Sequence, residues 1–255
     1  MAGISSKENQ PEAERFGVKE LLPAYLSPNL QLQEFLTGVS VASCGSGYDP
    51  LTAKLMSVLS MSDQLEMFKS YIRKIKAAVG ENKTEIILSI SIFLVCSGSN
   101  DIANTYFSTP FRRANYDIPA YNDLINKLGW VNELYGLGAR RIGVMSLLCT
   151  SNWMCAITDS QRTLGGGIQR GCSEYANNAS MLFNSKLSTQ MYSLNQLLPD
   201  ARLVPILIPN NPTLALVQNP THYGNHKTNH SFEIMVHSNR IVLLLDVYVT
   251  VFAVI

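Results

Sequence analysis

The 255-residue chain is sparing with charge: 15% of its residues are Asp, Glu, Lys or Arg, and they nearly cancel to a formal +1. So flat a balance supplies no basic stripe, which removes the electrostatic footprint of a nucleic-acid binder and gives no support to steering of acidic substrates. No Cys-x-x-Cys pair occurs among the five cysteines, Cys44, Cys96, Cys149, Cys155 and Cys172. Their odd number leaves at least one thiol outside any disulfide scheme, so they fix no redox compartment. Long apolar runs are lacking as well. The most apolar stretch, Ile241 through Ile255, falls short of the roughly 20 residues a membrane-spanning helix needs and reads as a buried strand or a misfit tail. Met1 through Gln10 are polar and lack the apolar centre of a secretory signal, so no export signal is expected from them.

Other absences narrow the field further. Gly165-Gly166-Gly167 has no Gly-Lys-Ser/Thr ending, so a flexible connector fits it better than a nucleotide-binding loop. Trp130, Trp153 and the tyrosines are scattered without interleaved basic residues, unlike the stacking grooves that hold single-stranded nucleic acid. What is present is apolar bulk: 46% hydrophobic residues over this length are enough to bury the core of one large α/β domain spanning 1–255.

Periodicity supplies the elements. Ser62 to Gly80 reads as an amphipathic helix, with Leu65, Phe68, Ile72, Ile75 and Val79 on one face, Ser62 or Asp63 as cap and Gly80 as stop. Glu85 through Val95 is nearly continuous in apolar and β-branched residues and predicts a central strand covered on both faces. A helix is expected from about Pro119 to Gly136, a strand over Arg141–Leu148, and a long helix from about Gly171 to Leu198. A strand over Arg202–Ile208 follows, in which Pro205 favours an edge position or a bulge. Strands alternating with helices predict βαβ crossovers and a mostly parallel sheet.

Gly98-Ser99-Asn100-Asp101 follows the central strand directly, at the carboxyl end where open α/β sheets bind ligands. There an Asn side-chain NH2 can donate to an oxyanion; equally, Asn and Asp can form the turn and cap the next helix. Upstream, Val41 through Pro50 is a small-residue loop with Gly45 and Gly47, whose backbone N–H groups can approach a ligand closely or simply turn the chain.

Four segments then carry a resemblance. Gly17 to Tyr25 (Gly-Val-Lys-Glu-Leu-Leu-Pro-Ala-Tyr), Ser46 to Thr52 (Ser-Gly-Tyr-Asp-Pro-Leu-Thr), Gly98 to Ile102 (Gly-Ser-Asn-Asp-Ile) and Gln161 to Gly167 (Gln-Arg-Thr-Leu-Gly-Gly-Gly) resemble, in order, plant GDSL esterase/lipases of the SGNH-hydrolase superfamily. The likeness covers roughly Phe16 to Gly224, leaving 225–255 as a divergent tail. It implies a flavodoxin-like α/β/α sandwich and hydrolysis of small-molecule ester or lipid substrates by a serine nucleophile, an Asp/His pair and an oxyanion hole. No metal or organic cofactor is implied, and the family is mostly secreted. By position, Asn100 matches the oxyanion-hole Asn and Gly45 the oxyanion-hole Gly, while Cys44 stands where the pattern usually has another Gly.

The departures are equally specific. The family's nucleophile lies in a Gly-Asp-Ser block, and no Gly-Asp-Ser occurs in these 255 residues. Its Asp-x-x-His block has no counterpart either, since Asp246 is followed by Val247-Tyr248-Val249. Leu147 through Asp159 replaces the Pro- and Gly-containing loop expected after the third strand. These features predict a truncated or mis-spliced member, incomplete at both ends and with little or no turnover. Non-catalytic acyl or lipid binding, or an incomplete gene product, are the alternatives. Ser40 in Gly38-Val39-Ser40-Val41-Ala42 imitates a nucleophile elbow but lacks the strand-turn-helix context and a nearby base. His226 and His230 have metal-pair spacing without helical periodicity or a third ligand, and read as solvated loop histidines.

Overall fold

A computed structural model of the chain describes residues 22–147, 174–206 and 252–254. Among the described residues, five short strands form one sheet: β1 (Val39–Ser40), β2 (Ile92–Val95), β3 (Arg141–Met145), β4 (Arg202–Ile206) and β5 (Phe252–Val254), in the spatial order β1-β5-β2-β3-β4. β2, β3 and β4 are parallel, with Phe93 opposite Ile142 and Ile142 opposite Leu203. β5 runs antiparallel to both β1 and β2, so those two point the same way. The sheet is therefore mostly parallel, as the alternation of elements predicts, and part of the apolar tail does pair as a strand. β4 lies at the edge of the described sheet, where Pro205 has no second neighbour to supply with an N–H.

Helices fill the connections: α1 (Leu32–Leu36), α2 (Pro50–Met56), α3 (Met61–Val79), α4 (Glu81–Ile90), a π-helix (Asp101–Phe107), α5 (Pro110–Arg113), α6 (Ile118–Ile125), α7 (Gly129–Gly136) and α8 (Glu174–Leu197). The architecture is α/β. α3 buries Leu65, Phe68, Tyr71 and Ile75 at helical spacing, and Phe68 meets Phe93 of β2 edge to face with ring centroids 5.5 Å apart. Its cap is Ser60, two residues before the expected Ser62: Ser60 Oγ accepts from Asp63 N at 3.2 Å, and Asp63 Oδ2 accepts from Ser60 N at 2.8 Å. Asp63 thus completes a capping box as its third helical residue and is not the cap itself. On α8, Ala176, Ala179, Phe183, Leu187 and Met191 are buried. Two asparagines of the same helix bond backbone groups just after β3 and within β4. Asn184 bonds both Leu147 N and Leu147 O at 2.7 and 2.8 Å, and Asn195 treats Leu203 the same way at 2.9 and 2.7 Å.

Two expected elements divide. Glu85 through Ile90 belongs to a helix, and only Ile92–Val95 is strand. The burial pattern explains why: Thr84, Ile87, Leu88 and Ser91 face inward at helical spacing, whereas Ile86 is 59% exposed. Apolar β-branched residues on both sides of Ser91 concealed that change of period. The expected helix from Pro119 to Gly136 is interrupted between Ile125 and Gly129, because buried Asn126 ends α6 and directs its side chain to Phe183 O at 3.5 Å. The long helix and the flanking strands end within a few residues of expectation, at Glu174–Leu197, Arg141–Met145 and Arg202–Ile206.

The divided segment gives a direct test by equilibrium urea unfolding. Ile86→Ala is expected to change stability by no more than about 0.5 kcal/mol, as an exposed helical position should. Ile87→Ala, one residue on and buried, is expected to cost about 2–5 kcal/mol. Equal large losses at both positions would restore the doubly covered strand.

Candidate oxyanion-stabilising site

Because β1 and β2 point the same way, the loops leaving their carboxyl ends emerge on the same side of the sheet. The first loop runs through Gly45, Ser46 and Gly47 into α2, and the second through Ser97, Gly98 and Asn100 into the π-helix. Gly45 turns with φ +85, in the left-handed region that suits glycine. Asn100 sits at the head of the π-helix, yet its side chain makes no capping bond there. Instead Asn100 Nδ2 donates to Ser46 O at 3.0 Å, binding the second loop to the first, and its Oδ1 accepts from Asn104 Nδ2 at 3.1 Å. Asn100 is 4% exposed. The two positions selected from the sequence are thus brought into one neighbourhood, Asn100 touching the residue that follows Gly45.

Asp101 fixes the geometry from beneath. Its Oδ2 accepts from Tyr48 N at 2.8 Å, and its Oδ1 accepts from Asp49 N at 3.0 Å and Thr52 Oγ1 at 2.6 Å. Gly47 permits this approach, since a Cβ built there would stand 2.2 Å from Asp101 Oδ1. Burial pushes the Asp101 carboxyl up to about 6, the negative charge of Asp49 adding to that, while the three donors pull it down. Asp49 is buried beside it and starts α2, accepting from Leu51 N at 2.9 Å ahead of Pro50 in the first turn. Arg112 grips Asp49 with Nε and Nη2 at 2.7 and 2.6 Å, a bidentate pair. The Tyr121 hydroxyl lies 3.2 Å from both Asp49 Oδ2 and Asp101 O, and its single hydrogen is shared between them. Tyr48 stacks between Trp130 and Phe183 with centroids 5.7 and 6.0 Å away. Burial pushes its phenol well above the ordinary value.

Several of these residues escaped sequence reasoning. Asp49-Pro50 carried a local signal, an N-cap acid before a first-turn proline. Arg112 and Tyr121 carried none, lying 63 and 72 residues from Asp49. Ser40 does not form an elbow: it lies within β1, Ser40 N donating to Pro23 O at 2.9 Å and Ser40 O accepting from Tyr25 N at 2.8 Å. His226, His230, Gly165–Gly167 and Asp246 lie outside the described residues, as does most of Leu147 through Asp159. Among the described residues no group of His, Cys, Asp or Glu is arranged to hold a metal ion, and no helix is long and apolar enough to cross a membrane.

Comparison with known proteins matches residues 1–233 to the GDSL-like lipase/acylhydrolase family model. The chain belongs to that family. It is 45% identical over 219 residues to the GDSL esterase/lipase EXL3 of Arabidopsis thaliana, covering 85% of this chain and 58% of the relative. The GDSL esterase/lipase At5g42170 from the same plant is 44% identical over 220 residues, 85% of this chain and 57% of its own length. Another Arabidopsis member, At3g43550, is 42% identical over 215 residues, covering 83% of this chain and 71% of its own. The chain thus spans little more than half the length of the first two. No solved structure matches it.

Asp101 gives the GDSL chain a pH signature. An acid whose folded pKa of about 6 exceeds its unfolded value of 3.8 holds more protons when folded between those limits. Its contribution to stability is therefore fully present below about 4 and declines, by roughly 3 kcal/mol, as pH rises through about 6. Asp101→Asn removes that titration and turns an amide NH2 toward a backbone N–H. Urea midpoints are expected to show the variant about 1–3 kcal/mol less stable near pH 4, with the deficit shrinking or reversing toward about pH 7. A deficit that grows with pH would mean that the three donors outweigh burial.

Proposed function

We propose that this chain carries the oxyanion-stabilising half of a GDSL-type ester hydrolase acting on small carboxylic esters or lipid acyl esters. In this reading the Asn100 amide and the Gly45 backbone N–H receive the carbonyl oxygen as it becomes an oxyanion. Such donors act most strongly where they are fixed and shielded from water. The observation that supports it is the bond from Asn100 Nδ2 to Ser46 O, which seats a buried amide against the loop of Gly45 at the carboxyl ends of β1 and β2. Among the described residues the second N–H of that amide takes no partner, leaving it for a ligand.

The chemistry of the family divides acyl transfer into attack by a serine and hydrolysis by water, with an Asp/His pair moving protons. Neither Gly-Asp-Ser nor Asp-x-x-His occurs in these 255 residues. The chain by itself therefore supplies binding and charge stabilisation without nucleophile or base, and little or no turnover is expected of it.

The test is hydrolysis of p-nitrophenyl acetate and butyrate by the purified 255-residue chain and by a version extended with a family-type Gly-Asp-Ser segment and an Asp-x-x-His segment. No turnover without the extensions is expected. With them, activity should appear and should fall about 10²–10³-fold on Asn100→Ala. Turnover by the unextended chain would overturn the inactivity, and an extended Asn100→Ala variant of undiminished activity would remove Asn100 from the oxyanion hole.

A further inference from the structure

The Asn100 amide is held at both ends, and the two contacts do different work. Ser46 O is a backbone carbonyl and only accepts, so the 3.0 Å bond to it places the NH2 end of the amide toward the first loop. The oxygen end must then face Asn104, whose own NH2 donates to it at 3.1 Å. An amide rotated by half a turn would lose both bonds, setting oxygen against oxygen at Ser46 and nitrogen against nitrogen at Asn104.

Asn104 is carried by the π-helix. It lies four residues along the π-helix from Asn100, and the adjacent pair with the same spacing, Asp101 and Thr105, is clamped by Thr52 Oγ1 at 2.6 Å to each. The far end of the helix closes with Ser108 N donating to Ala103 O at 3.2 Å, the five-residue step of a π-helix. This turn thus carries two four-residue pairs: a carboxylate and a hydroxyl that both meet Thr52, and two amides of which the first meets the Ser46 carbonyl.

We infer that Asn104 is a positioning residue for Asn100: by donating to the Asn100 oxygen it keeps the Asn100 NH2 directed at a bound anionic oxygen. The inference rests on the reading of Asn100 as an oxyanion donor. Asn104 need not touch substrate; it acts through Asn100, much as outer partners fix the orientation of metal-ligating side chains.

The test uses the 15N-labelled 255-residue chain and butanesulfonate, an anion that keeps its charge across the pH range, with the Asn100 side-chain amide resonances as the readout. The resonances are assigned by their loss in Asn100→Ala. Butanesulfonate is expected to shift them in the unaltered chain, and Asn104→Leu to weaken that binding about tenfold. Asn104→Asp should weaken it similarly near pH 7 and recover in part near pH 4, where about half of an ordinary Asp carboxyl is protonated, because a protonated carboxyl donates and a carboxylate does not. Leucine should show no recovery, and the unaltered chain read at both pH values removes the contribution of Asp101. Full affinity in both Asn104 variants at both pH values would overturn the inference while leaving Asn100 in place. Failure of butanesulfonate to move the Asn100 resonances of the unaltered chain would overturn the Asn100 reading and this inference with it.

Discussion

A single buried carboxylate organises the end of the sheet. Asp101 is fully enclosed, and an isolated carboxylate in such a place is strongly destabilising. It is tolerated because two backbone N–H groups and a hydroxyl converge on it, all from the stretch Tyr48 to Thr52. The same three bonds dictate the path of that stretch. The first loop must come close enough for consecutive amides to reach both carboxylate oxygens, and that closeness leaves no space for a side chain at position 47. Gly47, the orientation of Ser46 O and the start of α2 all follow from satisfying Asp101.

A second layer keeps the first from failing electrostatically. Asp49 is buried immediately beside Asp101, and its negative charge adds to the burial that disfavours the Asp101 carboxylate. Arg112 answers this with a bidentate grip on Asp49, at a position where its guanidinium keeps partial contact with solvent. Tyr121, fully buried, divides its hydroxyl between Asp49 and the backbone of Asp101. Through these contacts α5 and α6 are tied to the loop after β1. Breaking a buried pair by removing one partner commonly costs several kcal/mol, because the remaining charge is left without compensation. Arg112 and Tyr121 therefore belong to the stability of the site and only indirectly to its chemistry.

How far this was legible in the sequence depends on the range of each interaction. α3 was readable because its inward face repeats at helical spacing over five turns and Gly80 punctuates its end. Asn100 could be selected because Gly98 to Asp101 directly follows a strand, at the end where an α/β sheet binds ligands, whereas Gly45 was singled out by the family resemblance alone; the structure adds that their loops meet through Asn100 and Ser46. Glu85 through Ile90 reads as strand because its β-branched residues suit one, and only the burial of Thr84, Ile87 and Leu88 against the exposure of Ile86 discloses the helix. The break after Ile125 was hidden because Leu128, Val131 and Leu134 continue the helical spacing, while the contact of Asn126 with Phe183 crosses 57 residues. Arg112 and Tyr121 were beyond reach for the same reason: their partner lies far away in sequence, and an isolated Arg or Tyr has many uses.

The contacts that set the amide of Asn100 are local to one portion of the fold. Ser46, Gly47, Tyr48, Asp49 and Thr52 meet Asn100, Asp101, Asn104 and Thr105, with Arg112 and Tyr121 behind them, all within the segment from 46 to 121. None of these bonds draws on a serine nucleophile or on an Asp/His pair. In the reading proposed above, charge stabilisation is assembled independently of the groups that attack and transfer protons; the rigidity of the two loops comes from satisfying a buried acid. In GDSL chemistry the useful donors are those already fixed before charge develops on the substrate oxygen. Here that fixing is a by-product of folding: once Asp101 has drawn the first loop in, Ser46 O is in place to receive the amide of Asn100.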